Sequence, residues 1–293
     1  MASRGCAGVV GVVFLVGSWA LAGLASSRAD QILAQARQAI GGEARLKAVR
    51  SLSLKGVAEA RRESAAGVVT NLQIDFLLPD RFRISRDWFA PSFFRRVGGF
   101  NGGDLVEQRQ ASGVWTDVGF GKGSKEASAW QMAARKRECA RYLVAWLLMA
   151  PEQYGVQFTD PAGESGDGST DVVDARGAND FAARLFFDKN THRLLKLTYR
   201  EAVPGAPATG APPAGRQAAG RGEPLFKSLE RSDSKTDEVT MQFDDYHTDD
   251  GILFSHTTRV ESEGLREEWR ISRFKVNPQL DAKYFERKKT DGA

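Results

Sequence analysis

From Ser51 to Val118 the chain is a succession of short segments in which apolar and polar residues alternate: SLSLKGVAEARR, TNLQIDFLL, RFRIS, FFRRVGGF, DLVEQR and GVWTDVG. Gly, Pro or charged turns separate them. Alternation puts every second side chain on one face, so consecutive segments of this kind predict an antiparallel meander with one buried face. LLPDRFRIS, Leu77 to Ser85, is the sharpest corner of the run. Leu72, Ile74, Phe76 and Leu78 alternate with polar residues before it, and Phe82 and Ile84 alternate with Arg81, Arg83 and Ser85 after it. Pro79 cannot donate to a ladder, so it belongs at a strand end, where Pro79-Asp80 joins two strands sharing an apolar face.

Strand patterns return in GVQFTD, TDVVDARG, DFAARLFFD and HRLLKLTYRE, and again in DEVTMQFDDYH, ILFSHTTRVES and LREEWRISRFKV. Lys189-Asn190-Thr191 and Asp249-Asp250-Gly251 supply turns, the second with good hairpin chemistry. Two stretches have helical spacing. Asp30 to Val49 carries Ile32, Leu33, Ala36, Ala39 and Ile40, with Asp30 as its cap and Gly41-Gly42 as an interruption. Lys125 to Met149 carries an apolar stripe of Trp130, Ala133, Ala134, Tyr142, Leu143, Trp146 and Leu147, with Arg135, Lys136, Arg137, Glu138 and Arg141 read as facing away; Pro151 ends it. It is not uniformly apolar, so it packs on a sheet. NPQLDAKYFER closes the chain with Leu280, Tyr284 and Phe285 docked on the body. Residues 203–224, rich in Pro, Gly and Ala, read as a disordered loop inserted between two strands, and residues 30–289 as a single domain.

Residues 1–25 form a short basic start followed by an apolar run with small residues at its end, the pattern of a signal peptide; an uncleaved anchor is the alternative, because the run approaches the ~20 residues that span a bilayer. Either way the body is expected outside the cytoplasm, in the periplasm. Cleavage removes Cys6 and leaves Cys139 alone, so no intramolecular disulfide forms and stability rests on core burial. A formal charge of +4 is small for 293 residues and speaks against nucleic acid as a partner.

Signals for catalysis are weak. Of three histidines, His192 sits by a turn, while His247 and His256 flank one hairpin without standing opposite each other. Asp244, Asp245, Asp249 and Asp250 lack an oxygen-ligand loop pattern and read as turn residues. No nucleophile elbow, phosphate loop, metalloprotease helix or cysteine pair occurs, and Cys139 reads as a helix-packed thiol. No cofactor or metal is expected, and no enzyme. Binding is better served. Trp88, Phe89, Phe93 and Phe94 cluster around Ala90-Pro91 with Arg95 and Arg96 beside them, a composition suited to the boundary between acyl chains and head groups, or simply to a core. With 17 Phe and 6 Trp, a sheet covered by two helices can fill its interior or leave a cleft.

The order of elements resembles the LolA/LolB-like superfamily of outer-membrane lipoprotein-sorting proteins. The likeness rests on a helix ending in Gly-Gly, the VRSLSLKG strand, the LLPDRFRIS corner, an internal helix, the LFFDKNTHRLLKL hairpin, and FDDYHTDDGILFSHTTRV leading to FKVNPQLDAKYF. It implies an α+β fold: an incomplete antiparallel β-barrel with helices covering its concave face, which holds acyl chains. It also implies an apolar cavity lined by Leu72, Ile74, Phe76, Leu78, Phe82, Ile84, Trp146, Phe186, Met241, Phe243, Phe254 and Trp269, with Trp88, Phe89, Phe93, Phe94, Arg95 and Arg96 at its rim. Where the lipoprotein carrier has an arginine before the proline to latch its lid, this chain has Leu78. The expected function is therefore non-enzymatic binding of lipid or lipoprotein acyl chains, as carrier or sensor, with a membrane surface or envelope protein as further partner. The alternative is an envelope interaction or regulatory module whose half-barrel interior is packed shut.

Overall fold

The computed structural model describes residues 27–62, 65–89, 92–118, 125–161, 168–202 and 236–290. The leader at 1–25, Ala90-Pro91 and the loop at 203–224 lie outside the described residues. Helix α1 (Arg28–Ile40) is capped by Ser27 rather than by Asp30. The Ser27 hydroxyl accepts from the Asp30 amide at 3.1 Å while the Asp30 carboxylate accepts from the Ser27 amide at 3.2 Å, a capping box in which Asp30 is the third helical residue. Gly41 ends this helix, and a short α2 (Glu43–Lys47) follows.

The first meander is β1 (Ser51–Arg62), β2 (Ala65–Leu77), β3 (Arg81–Trp88), β4 (Phe94–Asn101), β5 (Asp104–Ala111) and β6 (Val114–Asp117). Helix α3 (Lys125–Leu147) comes next. The second meander is β7 (Gln157–Thr159), β8 (Thr170–Gly177), β9 (Phe181–Asp188), β10 (Leu194–Ala202), β11 (Thr236–Asp249), β12 (Ile252–Ser262) and β13 (Leu265–Val276). A 3-10 turn at Ala282–Phe285 closes the chain. The strands form one antiparallel sheet in the order β6-β5-β4-β3-β2-β1-β13-β12-β11-β10-β9-β8-β7. Each meander is built from local pairings; only β1 against β13, with Leu52 opposite Val276, joins distant parts of the chain.

This order dictates where α3 must go. It leaves one edge strand, β6, and enters the other, β7, so it crosses from one arm of the sheet to the other. It meets β4 and β5 on one side and β9 on the other. The sheet does not close between β6 and β7, and the result is the expected open half-barrel.

Side chains on the inner face form one continuous core with α1 and the second half of α3. Leu52 and Leu54 of β1, Ile74 and Phe76 of β2, Phe82 of β3, Ile271 and Phe274 of β13, and Leu185 and Phe187 of β9 all belong to it. Phe254 and Phe274 stack with ring centres 4.2 Å apart. Each such side chain adds about 1.5–3 kcal/mol by leaving water.

Candidate functional site

Ten of the twelve expected cavity residues are buried in this one core: Leu72, Ile74, Phe76, Phe82, Ile84, Trp146, Met241, Phe243, Phe254 and Trp269. Leu78 is half-buried at its margin. Phe186 is misassigned. Strand β9 buries Phe181, Ala183, Leu185 and Phe187, so Phe186 points to the other face, where the Lys196 ammonium lies 4.1 Å above its ring. Three apolar residues in a row had hidden the phase of the alternation.

The interior is filled rather than open. Tyr142 and Trp146 of α3 stack on each other and reach Phe76, Phe82, Trp269 and Phe274, with ring centres between 5.2 and 6.4 Å apart. A hollow beside Ile40, Trp146, Leu148, Leu194 and Phe254 holds about 10 Å³. That is room for about one water.

Helix α3 does not turn its charges outward as its sequence suggested. From Cys139 to Leu148 every residue is buried, and in the preceding turns Arg135 binds inward while Arg137 donates to the Asn179 carbonyl at 3.1 Å. Arg135 pairs with Glu107 of β5 through two nitrogens and with Glu138 at 2.5 Å. The approach needs Gly98 beneath it, because a Cβ there would stand 2.5 Å from an Arg135 nitrogen. Glu138 also accepts from the Tyr142 hydroxyl at 3.0 Å. Burial disfavours the Arg135 charge, but its carboxylate partners outweigh this and hold its pKa well above the ordinary value. Two strands over from Glu107, Arg86 of β3 pairs with Glu267 of β13. Arg135–Glu138 and Glu138–Tyr142 are ordinary helical spacings, but Arg135–Glu107 and Arg86–Glu267 join residues far apart in sequence, and no spacing rule could have paired those.

Several buried polar atoms along this seam have no partner among the described residues: Trp146 Nε1, Trp269 Nε1, Thr258 Oγ1 and Arg141 Nε. Thr258 and Trp269 face each other across β12 and β13.

At the rim, the aromatic cluster divides. Trp88 is buried and stacks on Phe94 at 4.5 Å, with the Arg109 guanidinium 4.8 Å above the Phe94 ring. Phe89 and Phe93 remain 57% and 44% exposed at the tip of the β3–β4 hairpin. Arg95 is committed to Asp87 by two bonds of 2.6 and 2.8 Å, and Arg96 is half-buried. The residues weighed for catalysis are held locally. His247 pairs with Asp245 and His256 with Asp249, each at 2.7 Å, and no group of three metal-ligating side chains occurs among the described residues. Cys139 is buried 3.2 Å from the Tyr154 hydroxyl, and burial pushes its thiol pKa far up. Among the described residues no helix is long and apolar enough to cross a membrane.

No protein-family model and no curated protein matches the sequence. Solved structures do. A LolA superfamily protein from Nitrosomonas europaea matches with 11% identity and a TM-score of 0.50, over 89% of this chain and 99% of its own. A DUF1329 family protein from Desulfovibrio piger matches with 12% identity and a TM-score of 0.49, over 89% and 98%. An outer membrane lipoprotein-sorting protein domain from Vibrio parahaemolyticus reaches 13% identity and 0.47, over 86% and 94%. The first of these carries the comparison, and at such identity it speaks of architecture alone. The open antiparallel half-barrel roofed by α3 is the LolA-like fold, and this chain is a distant example of it.

Proposed function

We propose that the protein is a non-enzymatic acyl-chain binding protein of the periplasm, a carrier or sensor of lipid or lipoprotein, captured in its closed form. The observation that carries this reading is the seam under α3. An apolar inner face runs across the sheet, yet the helix over it is fastened at a part-buried position by an ion pair from Arg135 to Glu107 of β5, with Glu138 of the same helix bracing the guanidinium. Buried ion pairs add little net stability over apolar packing. A helix meant only to complete a core gains nothing from them, whereas a roof that leaves and returns gains a defined register. An acyl chain would replace the second half of α3 against Phe76, Phe82 and Phe274, at about 0.8 kcal/mol per methylene withdrawn from water. Exposed Phe89 and Phe93 would form the lip that meets a membrane surface. In this reading residues 1–25 are the export signal, residues 30–289 the binding domain, and residues 203–224 a tolerated insertion.

The filled interior favours a second reading, an envelope interaction or regulatory module that never opens. Native mass spectrometry of mature protein taken from a periplasm, followed by lipid extraction, separates the two. A stoichiometric acyl lipid is expected. Clean apoprotein that also ignores a fluorescent fatty-acyl probe would overturn the carrier and leave the closed module.

A further inference from the structure

Three arginines enter the interior near the middle of α3, and two of them are matched: Arg86 by Glu267, and Arg135 by Glu107 and Glu138. Arg141 is held differently. It is 6% exposed, and among the described residues no carboxylate lies within salt-bridge distance of it and its Nε has no hydrogen-bond partner. Glu201 of β10 and Glu138 act on its charge only through space, and together with the neighbouring tyrosines they outweigh the cost of burial. Glu138, one turn earlier on the helix, has its two oxygens taken by Arg135 and Tyr142. What Arg141 does have is the Tyr199 ring of β10, 3.4 Å below its central carbon. Stacking of this kind occupies the flat face of a guanidinium and leaves the N–H groups around its edge unspent. That edge is the part that binds carboxylate or phosphate oxygens in pairs.

A guanidinium keeps its proton at any ordinary pH, so burial cannot be relieved by neutralisation, and an unpaired one is costly. Glu138, Glu201 and Glu267 surround the Tyr199 ring under Arg141, yet none of them bonds its guanidinium edge, and other polar atoms nearby are unpartnered too. Trp269 Nε1 and Thr258 Oγ1 are buried without partners, and the Trp269 ring stands 5.6 Å from that of Tyr142. Around them the surface is apolar, with Leu143, Val239 and Met241 in the continuous core. We infer that Arg141 receives the anionic head of an amphipathic ligand, the carboxylate or phosphate oxygens of an acyl lipid whose tail enters the inner face. This rests on the acyl-binding reading above and adds to it the charge of the ligand and the residue that selects it.

The test compares three probes on the mature full chain: a fluorescent long-chain fatty acid, its methyl ester, and a lysophosphatidate with the same tail. Wild type is expected to bind the acid about tenfold or more tightly than the ester, the gain of one charge-assisted pair of bonds. Arg141→Met should bring the acid down to the level of the ester and leave ester binding unchanged. Arg141→Lys, which keeps the charge without the fork, should fall between. A preference for lysophosphatidate over the acid, lost in the same variant, would assign a phosphate head; the reverse order assigns a carboxylate. Equal binding of acid and ester by wild type, or a preference that survives Arg141→Met, overturns the inference while leaving acyl binding intact. Failure of all three probes overturns acyl binding and the inference with it. Arg141→Met loses the Tyr199 stack and the attraction of Glu138 and Glu201, so thermal melts run beside the binding assays show that the variant is folded at the assay temperature.

Discussion

The two faces of the sheet are covered by different means, and the contrast separates a fastener from a roof. On the outer face the C-terminal segment crosses β3 and β4 and answers the Asp75 carboxylate and the Gln108 amide it buries, leaving Arg83 Nε without a partner among the described residues. The fully buried Asp75 carboxylate accepts from Ser53 at 2.5 Å, Gln73 at 2.8 Å and Tyr284 at 3.0 Å. Arg83 donates to the Tyr284 carbonyl at 2.8 Å and lies over its ring, and Gln108 exchanges two 2.8 Å bonds with the Lys288 backbone. Phe285 completes the cover at 1% exposure. Inside, α3 brings charged groups into an apolar space and leaves donors along its seam unspent. Satisfied polar networks rigidify, and partly satisfied ones leave work for another group.

The largest effects should come from breaking one side of each cover. Phe285→Ala should destabilise by about 3–5 kcal/mol, measured by denaturant unfolding, because the strap loses its anchor. Glu107→Ala should cost about 1.5–3 kcal/mol, because Arg135 loses its tie to the sheet and keeps only Glu138 of its own helix, whereas joint replacement, Glu107→Leu with Arg135→Met, should come back close to wild type. If the double variant is as weak as the single one, the pair is a structural necessity and α3 is no roof. A middle-sized effect is expected for Tyr284→Phe, about 1–3 kcal/mol, since Asp75 and Gln73 lose a shared hydroxyl. The smallest is Trp269→Phe, which removes an unpartnered buried donor and should change stability by less than about 1.5 kcal/mol.

A pH series sharpens the same contrast. Burial holds the Asp75 carboxyl above its ordinary range despite the hydrogen bonds it accepts from Ser53, Tyr284 and Gln73. Its folded pKa therefore exceeds the unfolded value of about 3.9. The contribution to stability is full below that unfolded value and is lost as pH rises through the folded one. Wild type should accordingly gain on Asp75→Asn as pH falls from neutral towards about 4, read from paired thermal melts. Parallel curves would mean that Asp75 does not titrate in this window.

Much of the fold was legible because its pairings are local. Alternation and turn residues marked every strand, and the Pro79 corner stands between β2 and β3 as the residues demand. Helix α3 was legible in extent but not in orientation. Arg135, Glu138 and Arg141 look like a solvated face, since charges face water unless partners wait inside. Glu138 is held by Arg135 and Tyr142 of its own helix, but Glu107 and Tyr199, which meet Arg135 and Arg141, sit on strands far away in sequence. Phe186 failed for a smaller reason, a run of three apolar residues that gives alternation no phase.

The sequence alone determined the elements and one apolar face, since local backbone preference and side-chain period act between neighbours. The pairing of β1 with β13, the crossing of α3 from one arm to the other, and the burial of Arg141 on the Tyr199 ring were decided only by the tertiary structure. These depend on which distant groups meet in a space that water has left, and that space exists only once the sheet has curved and the helix has covered it.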